Sequence, residues 1–232
     1  MIPVGLPVPP ANYLISVRTP GLAFLATTPH PNYKQWRRKS FWTRIHDYMY
    51  LSFNGVCNYC SSWTPRNENT TPSHIHQTSI DHYVPKSANP PLAYEWTNFR
   101  LSRLRLNNRK DIHRDVVDPC RIGVDWFYLD FTSFLIRPYS TLNAHDASAV
   151  TATIERLELN SDLDYVNERI AIIGLYSLDR ITLPEAAAKY PFIAKEIVAQ
   201  AFDATYKAGL RGHFQAMVTT GSWSTNYSLL FP

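Results

Sequence analysis

Residues 78–87 read TSIDHYVPKS. Thr78, Ser79 and Ile80 suit a short strand that ends near His82, and the proline-rich continuation VPKSANPP forces a loop, because proline withdraws donors and restricts the residue before it. Residues 99–102 can return as a second short strand, and the segment from Arg103 to Lys110 can begin a helix. Asp81 and His82 stand at the end of the first strand. Asn98 follows His82 by sixteen residues and Asn107 follows by nine more. A carboxylate, an imidazole and two carboxamides at these intervals can build one metal site with an adjacent base.

The surroundings predict an α+β protein in which this small unit is embedded in a mostly helical chain. Residues 32–53 place Trp36, Phe41, Ile45, Tyr48 and Met49 at helical intervals, which predicts one long helix with Lys34, Arg37, Arg38, Lys39 and Arg44 on its polar side and Gly55 as its stop. Those cations fit either a solvated helix face or contact with phosphates. Residues 61–79 read as an irregular excursion, in which His74 and His76 belong to a polar loop. DWFYLDFTSFLIRP (125–138) predicts a strand or hairpin, and residues 149–159 fit a strand or a helix. Further helices are expected over 161–178, capped by Ser161-Asp162, over 184–188, and over 192–208. The expected division is an N-terminal arm with a basic helix (1–54), a core (55–118), and an aromatic strand region with a helical part packed on it (119–232).

With 232 residues, 45% of them hydrophobic and 13% aromatic, the chain can bury a substantial core and does not read as a tail or linker. It has no apolar run long enough for a membrane span. The proline-rich start lacks a basic leading region, so an irregular surface arm and a cytoplasmic location are expected. The net charge of +4 is uneven: residues 1–145 hold sixteen Lys/Arg against nine Asp/Glu, and residues 146–232 hold seven against ten, giving +7 and −3. An excess of positive charge in the half that carries the candidate site suits a polyanionic partner.

Phosphodiester hydrolysis needs a cation to neutralise oxygen charge and a base to activate water. Asp81 offers a hard anionic ligand and Asn107 a neutral oxygen, a donor pair suited to Mg2+ or Mn2+. His82 titrates near neutrality and can take the proton of an attacking water. Asn98 can hold the intervening loop and help orient His82. Lys110, one helical turn after Asn107, can meet a phosphate, and Arg100, Arg103, Arg105 and Arg109 make the segment strongly basic.

With these residues in place, the chain resembles the HNH endonuclease family, whose core is the beta-beta-alpha metal fold. The resemblance rests on Cys57-x-x-Cys60, IDHYVPKS, EWTNF and LNNRK and covers roughly residues 55–112. It implies Asp81 and Asn107 as metal ligands, His82 as general base, Asn98 as the loop-fixing middle residue and Lys110 as the basic position after the second ligand, in an enzyme that hydrolyses DNA. DVVDP (115–119) and ATIERLELN (152–160), followed by a helix with Arg169, resemble the C-terminal continuation of HNH proteins of bacterial defence and retron systems. That implies an antiviral role beside an ATPase or another subunit. The alternative is a catalytically silent nucleic-acid-binding subunit of a larger assembly.

The chain departs from the family where many members hold zinc with two Cys-x-x-Cys pairs. Cys57 and Cys60 supply one pair, but Arg103 and Leu106 stand where the second is expected, and neither suits zinc. A zinc-free core with Leu104 and Leu106 packed in place of the metal is the expectation. A rearranged site of Cys57, Cys60 and Cys120 with one histidine, from His74, His76 or His113, is the alternative.

Overall fold

The computed structural model describes residues 1–66, 77–202 and 204–220; His74 and His76 lie outside them. The architecture is mixed, with two small antiparallel two-stranded sheets amid mostly helical structure. Strand β1 (Thr78–His82) pairs with β2 (Phe99–Arg103) in a register that sets Asp81 opposite Arg100 and His82 opposite Phe99. Helix α4 (Leu104–Lys110) starts directly after β2 and packs against both strands. The strand, loop, strand and helix order read from residues 78–110 is therefore present.

The expected arm is only partly irregular. A π-helical turn, Leu14–Arg18, runs into helix α1 (Thr19–Thr27), and Tyr13 and Val17 are buried. Gly21 lies against the ring of Tyr94, where any Cβ would overlap the ring. Arg18 pairs with Glu95, and the Trp96 indole donates to the Pro7 carbonyl at 2.8 Å, so the segment is fastened to the loop between β1 and β2.

The long helix expected over 32–53 is instead three pieces: α2 (Tyr33–Arg38), a 3-10 turn (Phe41–Ile45) and α3 (His46–Ser52). Lys39 and Ser40 leave the helical region, with φ/ψ of −120°/30° and −76°/55°. Trp36 and Trp42 would stand about 240° apart around a continuous helix. The break turns both indoles into the same core, where they contact Tyr94. Asn32 caps α2 with Gln35 in a reciprocal capping box. Gly55 ends the segment at φ +71°, a conformation that glycine adopts without strain, and a Cβ there would meet the Tyr50 hydroxyl at 2.7 Å.

Strand β3 (Phe127–Asp130) and β4 (Leu135–Pro138) form the expected hairpin, its turn tied by Asp130 to Thr132 N and Ser133 Oγ. The segment left open between strand and helix is helix α5 (Ala144–Arg156), capped by Asn143. Helix α6 (Leu163–Ser177) is capped by Asp162, and α7 (Leu183–Lys189) opens on a capping box of Thr182 and Glu185. The helix expected over 192–208 is two, α8 (Pro191–Ala199) and α9 (Ala204–Thr219), with Ala201 at positive φ between them.

Two apolar clusters result. One joins the N-terminal helices to the strand pair through Trp36, Trp42, Met49, Ile80, Tyr94 and Phe99. The other runs from Cys57, Tyr59 and Leu106 through the second hairpin and α5–α8. Both clusters cross the segment boundaries expected from sequence. No helix among the described residues is long and apolar enough to cross a membrane.

Candidate active site

Strand β1, the loop after it, the 3-10 turn Phe41–Ile45 with the first residue of α3, and the end of α4 enclose a cleft of about 790 Å³ bordered by Asp81, His82 and Asn107, with Trp42, His46 and Lys86 on its walls. Asp81 and His82 point to opposite sides of the strand, as neighbours in a strand must. The cleft runs along the whole of β1, from Thr78 to His82, and Asp81 and His82 both border it.

His82 is wedged between aromatic rings, edge-on to Trp42 at 4.5 Å and to Phe99 at 5.4 Å. Its Nε2 lies 2.9 Å from the Ala93 carbonyl. A carbonyl can only accept, so Nε2 carries the proton. Burial, helped by the nearby ammonium groups of Lys86 and Lys110, pushes its pKa down to about 3. His82 therefore does not titrate near neutrality, contrary to what its residue type predicts: the imidazole is neutral at neutral pH, a weaker base than a free imidazole, with Nδ1 bonded to no described residue.

Asn98 braces the loop that positions His82. Its Oδ1 accepts from Val84 N at 2.7 Å, and its Nδ2 donates to the carbonyls of Val84 and Leu92 at 2.9 and 3.1 Å. Leu92 directly precedes Ala93, the partner of His82, so the carboxamide acts on the imidazole through one peptide unit. Pro90–Tyr94 forms a 3-10 turn that aims the Ala93 carbonyl.

Asp81 is nearly buried, and three contacts surround its carboxylate. Tyr59 donates to Oδ2 at 2.5 Å, and the Lys110 ammonium lies 3.2 Å from Oδ1 and 3.1 Å from Oδ2. A carboxylate offers about four lone-pair positions, so acceptor capacity remains beyond these contacts. Asn107 donates through Nδ2 to Ser79 Oγ at 2.9 Å, which fixes the amide and leaves its Oδ1 as an acceptor. One carboxylate and one amide oxygen on a common cleft fit a hydrated Mg2+ or Mn2+, since such ions keep several waters.

The basic residues of 100–110 are placed differently from the phosphate-facing surface their clustering suggests. Lys110 is fully buried and also donates to the His82 carbonyl at 2.9 Å. Arg100 makes a bidentate buried pair with Asp118 at 2.9 and 2.7 Å. Arg103, also fully buried, grips Glu168 through two nitrogens at 2.9 and 2.6 Å. Arg105 pairs with Asp162 and Asp164, and Arg109 with Glu158 and Asp162. None of these five borders the cleft. The physical reason is desolvation: cations drawn out of water must meet carboxylates, supplied by Asp81 for Lys110 and by acids of residues 118–168 for the arginines.

Arg103 also explains how the Cys57-x-x-Cys60 turn is held. Its backbone N donates to Cys57 Sγ at 3.3 Å, and its guanidinium donates to Thr64 Oγ1 and the Trp63 carbonyl at 2.9 and 2.7 Å. Burial opposes ionisation of Cys57, but hydrogen bonds from Cys60 and Arg103 bring its pKa down to about 6. Burial and the bond to Cys57 push Cys60 up. Asn58, inside the turn, pairs with Leu101 through both side chain and backbone. Among the described residues no three His, Cys, Asp or Glu side chains stand together as a metal cluster, so Cys120 does not join Cys57 and Cys60. Leu106 is fully buried in the adjoining core and Leu104 partly so.

Trp42, His46, Lys86 and Tyr59 were not singled out as site residues by sequence. His46 bonds Thr78 through Nε2 at 2.9 Å, but it sits more than thirty residues before Asp81. Only Tyr59 carried a local signal, its place between two cysteines. No protein-family model and no curated protein matches the chain.

Proposed function

We propose that this chain is a divalent-metal-dependent endonuclease built on a beta-beta-alpha metal core of the HNH type, acting on DNA phosphodiester bonds. The observation that carries the reading is the convergence of Asp81, the neutral imidazole of His82 and the Asn107 amide on one cleft at the end of a strand pair followed by a helix. His82 Nδ1 takes a proton from water, the hydroxide forms a bond to phosphorus, and the bond from phosphorus to the leaving 3′-oxygen breaks, that oxygen taking a proton from solvent. Ala93 and Asn98 keep the imidazole in the tautomer and orientation this step needs. Asp81 and Asn107 would hold the ion, which supplies charge neutralisation at the phosphate and the leaving oxygen. Lys110 and Tyr59 fix the carboxylate, which borders the cleft. The resemblance of the C-terminal part extends the proposal to an effector of antiviral defence acting with an ATPase subunit.

Incubating wild type and His82→Ala with supercoiled, linear and single-stranded DNA over Mg2+ and Mn2+ tests this. Metal-dependent products from wild type and a loss of at least about 100-fold in the variant are expected. Equal cutting by a clean His82→Ala preparation removes His82 from the mechanism. The contact of Lys110 with both Asp81 oxygens favours a second reading, a silent nucleic-acid-binding subunit, because an ammonium there competes with a bound ion. Salt-sensitive DNA retention with no product under either metal, alone or with a partner ATPase, would select it.

A further inference from the structure

We infer that the exposed cations of residues 34–44, together with Lys86, form the surface that leads a nucleic-acid backbone into the cleft, in place of the arginines of residues 100–109. The direction of entry rests on the nuclease reading of the cleft. The electrostatics of the surface do not.

Residues 1–46 contain no Asp or Glu. Lys34, Arg37, Arg38, Lys39 and Arg44 are exposed, and none is within ion-pair distance of a described carboxylate. Several are held over aromatic rings instead: Arg44 stands 4.8 Å and Lys39 5.9 Å from the Phe41 centroid, and Arg37 stands 5.9 Å from that of Tyr33. Arg44 is further fixed by donating to the Ser16 carbonyl at 2.8 Å. Such contacts orient the cations without neutralising them.

The chain then continues into Trp42 and His46, which border the cleft. Among the described residues Lys86 is the one Lys or Arg on the wall of that cleft, 5.7 Å above the Trp42 ring; Asp81 and Asp111 border the same cleft, neither within ion-pair distance of it. The same indole packs edge-on against His82. Trp42 thus joins the inner cation to the candidate base, and the outer cations lie along the segment that delivers Trp42. Cations with no carboxylate within ion-pair distance among the described residues, leading toward a cleft whose own acids are Asp81 and Asp111, fit a repeating polyanion, whose bound counterions are released on contact. The arginines of 100–109, each already paired, have no such charge to offer.

Fluorescence anisotropy with a duplex oligonucleotide in EDTA reads binding whether or not the chain cuts. The full-length triple variant K34Q/R37Q/R38Q should bind at least about tenfold more weakly, and its plot of log K against log salt should flatten by about 2 to 3. The charge-conserving K34R/R37K/R38K should restore both, which separates lost charge from lost fold. K86Q should weaken binding by about fivefold, and R105Q by less than about twofold. Wild-type affinity and slope in the triple glutamine variant, or no salt-dependent binding by wild type, overturns the inference. Equal competition by polyglutamate at matched charge overturns the phosphodiester assignment. DNA binding through this surface with no cutting in Mg2+ or Mn2+ sinks the nuclease reading and leaves the surface standing.

Discussion

At the scale of single residues, the candidate site depends on buried polar groups whose partners are all identifiable. Lys110 neutralises Asp81 inside the protein, and removing one member of a buried pair leaves the other uncompensated. Lys110→Met should lower the unfolding free energy by about 3 to 5 kcal/mol in urea titration. In the background of Asp81→Asn the same change should lose less, a coupling of at least about 1 kcal/mol. Additive effects would mean that the ammonium does not act on this carboxylate. Asn98 makes three hydrogen bonds to backbone groups of one loop, so Asn98→Ala should lose roughly 2 to 4 kcal/mol, at about 1 kcal/mol for each bond. A stability within about 0.5 kcal/mol of wild type would show that water replaces the carboxamide.

The sequence made the site residues legible to different degrees. Asp81, His82, Asn98 and Asn107 could be picked out because their chemistry and spacing are local properties, and the structure brings three of them to one cleft and sets the fourth behind it. Lys110 was recognisable as important but not as a buried partner of Asp81. Burial depends on what packs over a residue, and Lys110 is covered by elements far away in the chain. His46 and Trp42 carried no signal, because only folding brings them to Asp81 and His82.

Among the elements, short-range signals read well and long ones less so. The Ser161-Asp162 cap marked α6, Pro184 marked α7, and the hairpin of β3 and β4 followed from its aromatic alternation. The helix expected over 32–53 failed because its apolar residues satisfy the helical period only approximately, and the core gains more from burying both Trp36 and Trp42 than from two further helical hydrogen bonds. Helix α1 approaches Tyr94 at Gly21 without room for a side chain. Gly21→Ala should therefore lose about 1 to 3 kcal/mol, despite alanine's higher helix propensity. A stabilised variant in thermal melts would show that the contact relaxes freely.

Across the whole molecule, Arg103 ties β2, whose Phe99 and Leu101 belong to the first apolar cluster, to residues beside the second. It sits at the end of β2, beside the Cys57 turn, and reaches Glu168 on α6. The six tryptophans are concentrated in the first half, whereas most helical residues lie in the second. Tryptophan fluorescence and far-ultraviolet circular dichroism therefore report on different parts of the molecule. Their urea transitions should coincide in wild type. Glu168→Gln should shift both to lower urea together, by about 3 to 5 kcal/mol, as expected for a buried arginine left unpaired. Separate transitions in wild type would mean that the clusters unfold independently.

By itself, the sequence determined the strand, loop, strand and helix order of residues 78–110 and the set Asp81, His82, Asn98 and Asn107, because proline placement, strand propensity and residue chemistry act over a few positions. Tertiary structure alone decided which charges are paired among the described residues. Arginines that cluster in sequence at 100–109 are neutralised by Asp118, Glu158, Asp162, Asp164 and Glu168, while the cations of 34–44 stay exposed. Charge is a local property, but its compensation is set by whichever groups folding brings within a few ångströms.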